Sequence, residues 1–201
     1  MALAERRLSE IAGLLDRLYG EAVASLEACF EGRGPEEVAR HSREAERLRR
    51  RIQDEAVEFI ARFQPVASEL RRVTAYVEAS YDLFRVTRYA LETSRLLSRI
   101  PESCRLQDAS RAYRVAREML GRAYEALRRG DAAEAREVLS LDAEIDRLYL
   151  SKLDLLQVEE SLTRCEVAEL LVVRHLERVA DHAVYIASAA HFVATGRRLE
   201  E

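Results

Sequence analysis

Apolar residues recur every three or four positions along most of this chain, which is the pattern of amphipathic helices. One such run extends from Leu8 to Ala22, and another extends from Leu170 to Ala194. Only a few short stretches with glycine or proline interrupt the pattern, and they lie at 32–35, 64–65, 101, 130–131 and 196. The breaks predict six long helices.

Local signals place the ends of these helices. The first helix is expected over about 2–31, the second begins at Pro35, and the third begins at Pro65 and runs to about Arg99. Residues 100–104 are the one plausible linker between domains. The remaining signals are caps: Gly130 ends the fourth helix, Asp131 caps the fifth, and Thr163 with Glu166 forms a capping box for the sixth.

The second half of the chain repeats the first. The matching segments are 42–48 with 142–148, and 83–90 with 176–183. A duplication of helical hairpins predicts an all-α fold of two tandem three-helix bundles, the first over 1–100 and the second over 101–201.

Composition narrows the class of protein. Hydrophobic residues make up 48% of the chain and charged residues 34%, with 7 Gly and 3 Pro, which excludes a β-rich or a disordered protein. Among 32 basic residues only Lys152 is a lysine. Arginine at this frequency is typical either of phosphate or RNA recognition or of solvated helix faces. The 36 interleaved acids favour solvated faces, so no nucleic-acid partner is expected.

The cysteines and the apolar runs indicate in which cellular compartment the protein is expected. Cys29, Cys104 and Cys165 are odd in number and far apart, so neither a zinc site nor a disulfide framework is expected, and a reducing compartment fits best. The chain shows no signal-peptide pattern and no apolar run as long as a membrane span. We therefore expect a soluble, cytoplasmic protein.

Two pairs of acids stand out as candidate cation ligands: Asp142 with Asp146, and Glu177 with Asp181. Acids four residues apart occur five times in the chain, about as often as chance gives, so the spacing alone indicates nothing. Their position is more informative, because both pairs flank an apolar stripe on helices expected to be antiparallel neighbours. The four carboxylates are therefore predicted to converge on one patch that suits a hard cation.

Other chemistry is not indicated. His175 and His182 fall on the opposite flank of the sixth helix, and no Glu-x-x-His pattern of a di-iron bundle is present. The chain has no P-loop, no zinc-protease motif and no nucleophile elbow, so we do not expect an enzyme.

Two segments resemble hallmarks of the PhoU family. Residues 174–187 read RHLERVADHAVYIA, close to the family signature R-[YH]-L-E-R-I-G-D-H-A-x-N-I-A, and residues 64–71 read QPVASELR, close to QPVAxDLR. The resemblance covers nearly the whole chain. It implies two three-helix bundles and a cytoplasmic negative regulator that links a phosphate transporter ATPase to a phosphate-sensing histidine kinase. It also implies iron or zinc bound at E(D)xxxD motifs, which Asp142, Asp146, Glu177 and Asp181 match.

The first repeat departs from those motifs. Phe84 and Arg88 stand where the family has acids, and Ser42 and Glu46 stand opposite them. Because Arg88 brings a cation to the place of the metal, the resemblance implies that only the second repeat keeps a metal site.

Three functions follow from the resemblance. The first is a non-catalytic adaptor that regulates phosphate uptake and signalling. The second is a divergent PhoU-like protein that regulates another process, and the third, which the residues favour least, is a metal-dependent phosphoesterase. Long helices with exposed apolar flanks also predict a homo-oligomer, first of all a dimer, that reaches a membrane only through its partners.

Overall fold

The computed structural model describes residues 2–158 and 161–199, and in these ranges it contains helices and no strands. The six helices are α1 (Ala2–Phe30), α2 (Pro35–Phe63), α3 (Ala67–Leu97), α4 (Gln107–Arg129), α5 (Ala132–Val158) and α6 (Arg164–Thr195). The predicted number and order of helices are therefore confirmed.

The helix ends follow local chemistry with one shift. Gly130 ends α4 in the left-handed conformation at φ 65°, and the Asp131 carboxylate accepts hydrogen bonds from the first turn of α5. The capping box of α6 is present as predicted. The third helix, however, begins at Ala67 instead of Pro65. Gln64 adopts a left-handed conformation whose N–H donates to Ile60 and closes α2, and Val66 is extended.

The start of α4 is capped by a side chain from another helix. No side chain of the preceding loop caps this end. Instead, Glu169 of α6 accepts hydrogen bonds from the backbone N–H groups of Asp108 and Ala109, at 2.9 and 3.4 Å. The other Glu169 oxygen lies 2.8 Å from Nζ of Lys152, which also lies 2.5 Å from Asp108. This cluster ties the first turn of α4 to α5 and α6.

The helices pack as two three-helix bundles, α1–α3 and α4–α6, as the duplication predicts. Buried apolar side chains of both bundles form one continuous core. The exact division at 100 and 101 stays a prediction.

The bundles meet through α3 against α6, with a smaller contact of α1 against α4. Both pairs run antiparallel. On the smaller contact the rings of Tyr19 and Tyr124 stack with centroids 4.0 Å apart, and those of Phe30 and Tyr113 stack at 4.1 Å. The Tyr124 hydroxyl also donates to Asp16 at 2.6 Å. The interface between the repeats is therefore built from aromatic stacking as well as aliphatic packing.

The expectation that the cysteines form no disulfide is wrong. Cys104 and Cys165 are joined by a disulfide with Cα atoms 5.3 Å apart, although 61 residues separate them in sequence. The loop between the repeats runs beside the first turn of α6, so the tertiary fold brings together two residues that no local spacing links. Cys29 is a buried free thiol, and burial raises its pKa to about 12.

No helix within the described residues has the length and apolar character needed to cross a membrane.

Candidate metal centre

The four acids predicted as ligands line one cavity between α5 and α6. Asp142 and Asp146 project from α5, and Glu177 and Asp181 project from α6. The cavity has a volume of about 550 Å³, and its remaining wall is formed by Leu139, Ala143, Arg178, Val184 and Tyr185. The four acids therefore share one cavity, and their role as cation ligands stays a prediction.

Core packing sets the position of these acids. Ile145 of α5 and Leu176 of α6 are buried, so both helices are fixed in rotation about their axes. Residues one helical position beyond the buried stripe then lie at its edge. At this edge Glu177, beside Leu176, is buried, whereas Asp146, beside Ile145, is exposed.

Two arginines one turn earlier on α6 partner the α6 acids. Nη1 of Arg174 lies 2.5 Å from Oε1 of Glu177, and Nη1 of Arg178 lies 2.6 Å from Oδ2 of Asp181. The Arg174 guanidinium also lies over the Tyr149 ring, 4.9 Å from its centroid. These arginines were not identified from the sequence as partners of the acids, although each stands three residues before its acid, which is the spacing of helical ion pairs.

The surroundings of Glu177 raise the pKa of its carboxyl group. Burial raises its pKa first, the charge of Asp181 raises it further, and the charge of Asp146 adds a smaller increase. Arg174 and Arg178 act in the opposite direction but do not cancel the rise. Its second oxygen, Oε2, is buried and has no hydrogen-bond partner. Glu177 therefore places a buried carboxylate oxygen without a hydrogen-bond partner among acidic neighbours.

The residues fit a metal ion in chemical type, but not in their present side-chain positions. All four are carboxylates, the donors that hard cations prefer, and the unpartnered oxygen of Glu177 is a buried acceptor. In the present side-chain positions, no three acidic, histidine or cysteine side chains in residues 2–158 and 161–199 lie close enough together to hold an ion. Binding would therefore require the arginine-paired acids to turn toward the cavity.

His175 and His182 of α6 lie on the opposite flank, as predicted, where His182 is buried and His175 is partly buried. Nδ1 of His182 lies 2.9 Å from Oδ1 of Asp82 on α3, and both side chains are buried between the bundles. Nδ1 of His175 lies 3.1 Å from the Thr93 hydroxyl. Burial raises the pKa of Asp82 and lowers that of His175. These residues hold the bundles together and do not reach the acidic cavity.

The matching place in the first repeat contains a different set of contacts. The Arg49 guanidinium lies over the Phe84 ring at 5.6 Å, and Thr87 donates a hydrogen bond to the buried Ser42 hydroxyl at 3.2 Å. Arg88 lies 3.8 Å from Glu92, and the remaining acid, Glu46, pairs with Arg50 at 2.6 Å. This place in the first repeat therefore contains a cation–π contact and a hydroxyl hydrogen bond, whereas four acids line the cavity of the second repeat.

Comparison with protein families matches both halves of the chain. The model of the PhoU domain matches residues 8–97 and again residues 109–190. A Synechocystis protein named as a phosphate-specific transport system accessory protein PhoU homolog is 32% identical over 187 residues, covering 87% of this chain and 81% of its own. A protein of the same name from Archaeoglobus fulgidus is 30% identical over 163 residues, covering 81% and 78%.

Solved structures give the same picture for the fold. The regulatory protein PhoU of the phosphate transport system from Streptococcus pneumoniae superposes with a TM-score of 0.82 at 20% identity, over 98% of this chain and 100% of its own. PhoU from Pseudomonas aeruginosa superposes with a TM-score of 0.77 at 25% identity, over 96% of each chain.

Proposed function

The chain belongs to the PhoU family, and we propose that it is a cytoplasmic, non-catalytic regulator of phosphate uptake. It would dock through its helical faces on a phosphate transporter ATPase, on a phosphate-sensing histidine kinase, or on both. The observation that carries the proposal is the match of both repeats to the family over nearly the whole chain. The names of relatives as accessory proteins of phosphate transport support it.

Such a regulator needs only differential affinity for two states of its partner. A partner that binds the chain more tightly in its inactive state is held there, and the size of the effect equals the difference between the two binding free energies. No bond is made or broken, so a rigid helical scaffold with exposed faces suffices.

Deletion of the gene in its own organism tests the proposal. In phosphate-rich medium, the deletion strain should take up phosphate faster than the parent and express phosphate-starvation genes, and the intact gene should restore repression. Unchanged uptake, together with a defect in another process, would instead support the divergent PhoU-like regulator. That alternative is favoured by the altered first repeat, in which Phe84 and Arg88 replace acids.

We also propose that Asp142, Asp146, Glu177 and Asp181 hold a metal ion, iron or zinc, in the second repeat only. When bound, the cation would neutralise the cavity and link α5 to α6. Glu177 would contribute its buried Oε2, and Asp142 and Asp146 would contribute oxygens from the facing helix. Arg174 and Arg178 would exchange their carboxylate partners for solvent.

Metal content of purified protein tests the site. The Glu177→Ala/Asp181→Ala variant should lose the bound metal, whereas Glu118→Gln/Glu125→Gln, which removes the same charge from the exposed side of α4, should keep it. Circular dichroism establishes that both variants are folded. Equal metal content in the parent and in the cavity variant would rule out this site.

A further inference from the structure

A second cavity lies where α3 meets α6, next to the acidic cavity, and Tyr185 lines both. Its volume is about 530 Å³. We call it the α3–α6 cleft, and its lining consists of Val77, Glu78, Tyr81, Asp82, Tyr185, Ser188 and Arg198. None of the four acids of the proposed metal site lines this cleft.

The cleft combines acidic groups with exposed aromatic rings. Glu78 and Asp82 lie one helical turn apart on α3, so their carboxylates share a face. Tyr81 is 52% exposed and Tyr185 is 47% exposed, although both side chains are large and partly apolar. Carboxylates beside aromatic faces are the combination that recognises a planar cation, through charge-assisted hydrogen bonds and cation–π contact.

The two acids are held differently. Asp82 is buried and fixed by its contact with His182 at 2.9 Å, with the Tyr81 and Tyr185 rings also next to this imidazole. Glu78 lies at the rim and is about half exposed. The acid that can meet an incoming cation is therefore Glu78, and the rings of Tyr81 and Tyr185 form the neighbouring walls.

The chain itself already places a guanidinium at this rim. Gly196 ends α6 in the left-handed conformation at φ 78° and turns the following residues back toward α3. Nη2 of Arg198 then lies 2.6 Å from Oε1 of Glu78, and its guanidinium lies over the Phe192 ring at 4.6 Å. The C-terminal segment thus shows which chemical group the rim accepts.

We propose that the α3–α6 cleft is a binding site for an arginine side chain on an exposed segment of a partner protein, and that Arg198 occupies its rim when no partner is bound. An incoming arginine displaces Arg198 from Glu78 and enters between Tyr81 and Tyr185. The displaced segment pivots at Gly196. The C-terminal segment is therefore an intramolecular competitor that weakens binding.

N-acetyl-arginine methylamide serves as the probe, and NMR follows the ring resonances of Tyr81 and Tyr185. Arg198→Ala should bind the probe roughly two- to fivefold more tightly than the parent, which is the equilibrium effect of one exposed ion pair. Adding Glu78→Gln should weaken binding by roughly two- to fivefold, because the exposed ion pair with the probe is lost. Adding Glu118→Gln on α4 instead should leave the affinity of the Arg198→Ala chain unchanged.

The citrulline analogue of the probe has nearly the same shape and no charge. It therefore distinguishes recognition of the positive charge from nonspecific binding. Equal shifts with arginine and citrulline, or an absence of shifts at Tyr81 and Tyr185 in Arg198→Ala, would overturn the proposal. Concentration-dependent dimerisation of Arg198→Ala that the probe disrupts would also overturn it, because a second copy would then be the occupant. Deletion phenotypes in phosphate uptake do not enter these outcomes, so this site and the proposed function fail independently.

Discussion

Glu177 shows how a single residue on a helix flank acquires unusual properties. It is adjacent to the buried Leu176, so its carboxylate is drawn into the edge of the core, where Asp181 and Asp146 add negative charge. Burial is the largest cause of its raised pKa. The folded state therefore binds a proton on Glu177 more tightly than the unfolded state does, and ionisation of this residue opposes folding.

Because ionisation of Glu177 opposes folding, the effect of Glu177→Gln on stability depends on pH. Stability associated with protonated Glu177 is fully present below the ordinary carboxyl pKa of 4.5 and is lost as pH rises through the raised pKa of the folded protein. In metal-free protein, Glu177→Gln should melt at a higher temperature than the parent at pH 7, and the difference should shrink toward pH 4.5. Thermal melts across this range measure it. A gap that widens on acidification would contradict the argument, and Glu118→Gln is the matched control.

At the scale of elements, the first turns of α6 organise one end of the second bundle. The capping box of Thr163 and Glu166 starts the helix, Cys165 joins it to the loop between the repeats, and Glu169 caps α4. The loop between the repeats and α4 are thereby both attached to the first two turns of α6. We expect this end of the bundle to be sensitive to single substitutions.

Replacement of Glu169 tests its role as a cap in trans. Glu169→Ala should lower the free energy of unfolding by about 2–3 kcal/mol, because two backbone donors and the Lys152 ammonium lose a charged acceptor. Glu169→Gln keeps an oxygen for the backbone donors and should lose less. Urea unfolding measures both variants. Equal losses would show that the ion pair with Lys152, and not the cap, accounts for the effect.

The disulfide gives a second prediction for the same end. Because it closes a loop of 61 residues, Cys104→Ser/Cys165→Ser should lower the free energy of unfolding by about 2–4 kcal/mol. Reducing agent should destabilise the parent by a similar amount and leave the variant unaffected. Disulfides are uncommon in most cytoplasms, so the thiol state should be measured directly. If all three cysteines of the denatured, unreduced protein react with an alkylating agent, the bond is absent.

At the scale of the whole molecule, the two repeats are joined by packing as well as by the chain. The core is continuous across both bundles, and the interface contains stacked rings, the Tyr124–Asp16 hydrogen bond and the buried Asp82–His182 pair. If one bundle unfolded alone, the folded bundle would expose the apolar and polar side chains that contact it. The repeats therefore stabilise each other.

Cooperative unfolding of the two repeats is the consequence. Urea transitions followed by far-UV circular dichroism and by tyrosine fluorescence should coincide in one step. Tyr124→Ala should shift both signals together, with a loss of about 3–5 kcal/mol typical of a deleted buried aromatic ring. Two separated transitions, with Tyr124→Ala affecting only one of them, would show that the bundles unfold independently.

The helices and the flank positions of the acids could be predicted from sequence because both depend on nearby residues. Apolar periodicity, Gly130, Asp131 and the Thr163 capping box act within one or two turns, and the angle between Glu177 and Leu176 follows from helix geometry. The third helix begins two residues later than predicted. The reason is also local, because Gln64 closes α2 just before Pro65.

Only the tertiary structure decided the contacts between residues far apart in the chain. The Cys104–Cys165 bond, the Glu169 cap of α4 and the Asp82–His182 pair join positions separated by 60 residues or more. The α3–α6 cleft likewise exists only because the bundles pack antiparallel along those helices. Periodicity gives each helix a buried face but does not state which other helix covers it. The pairing of faces is set by side-chain shape and charge over the whole molecule.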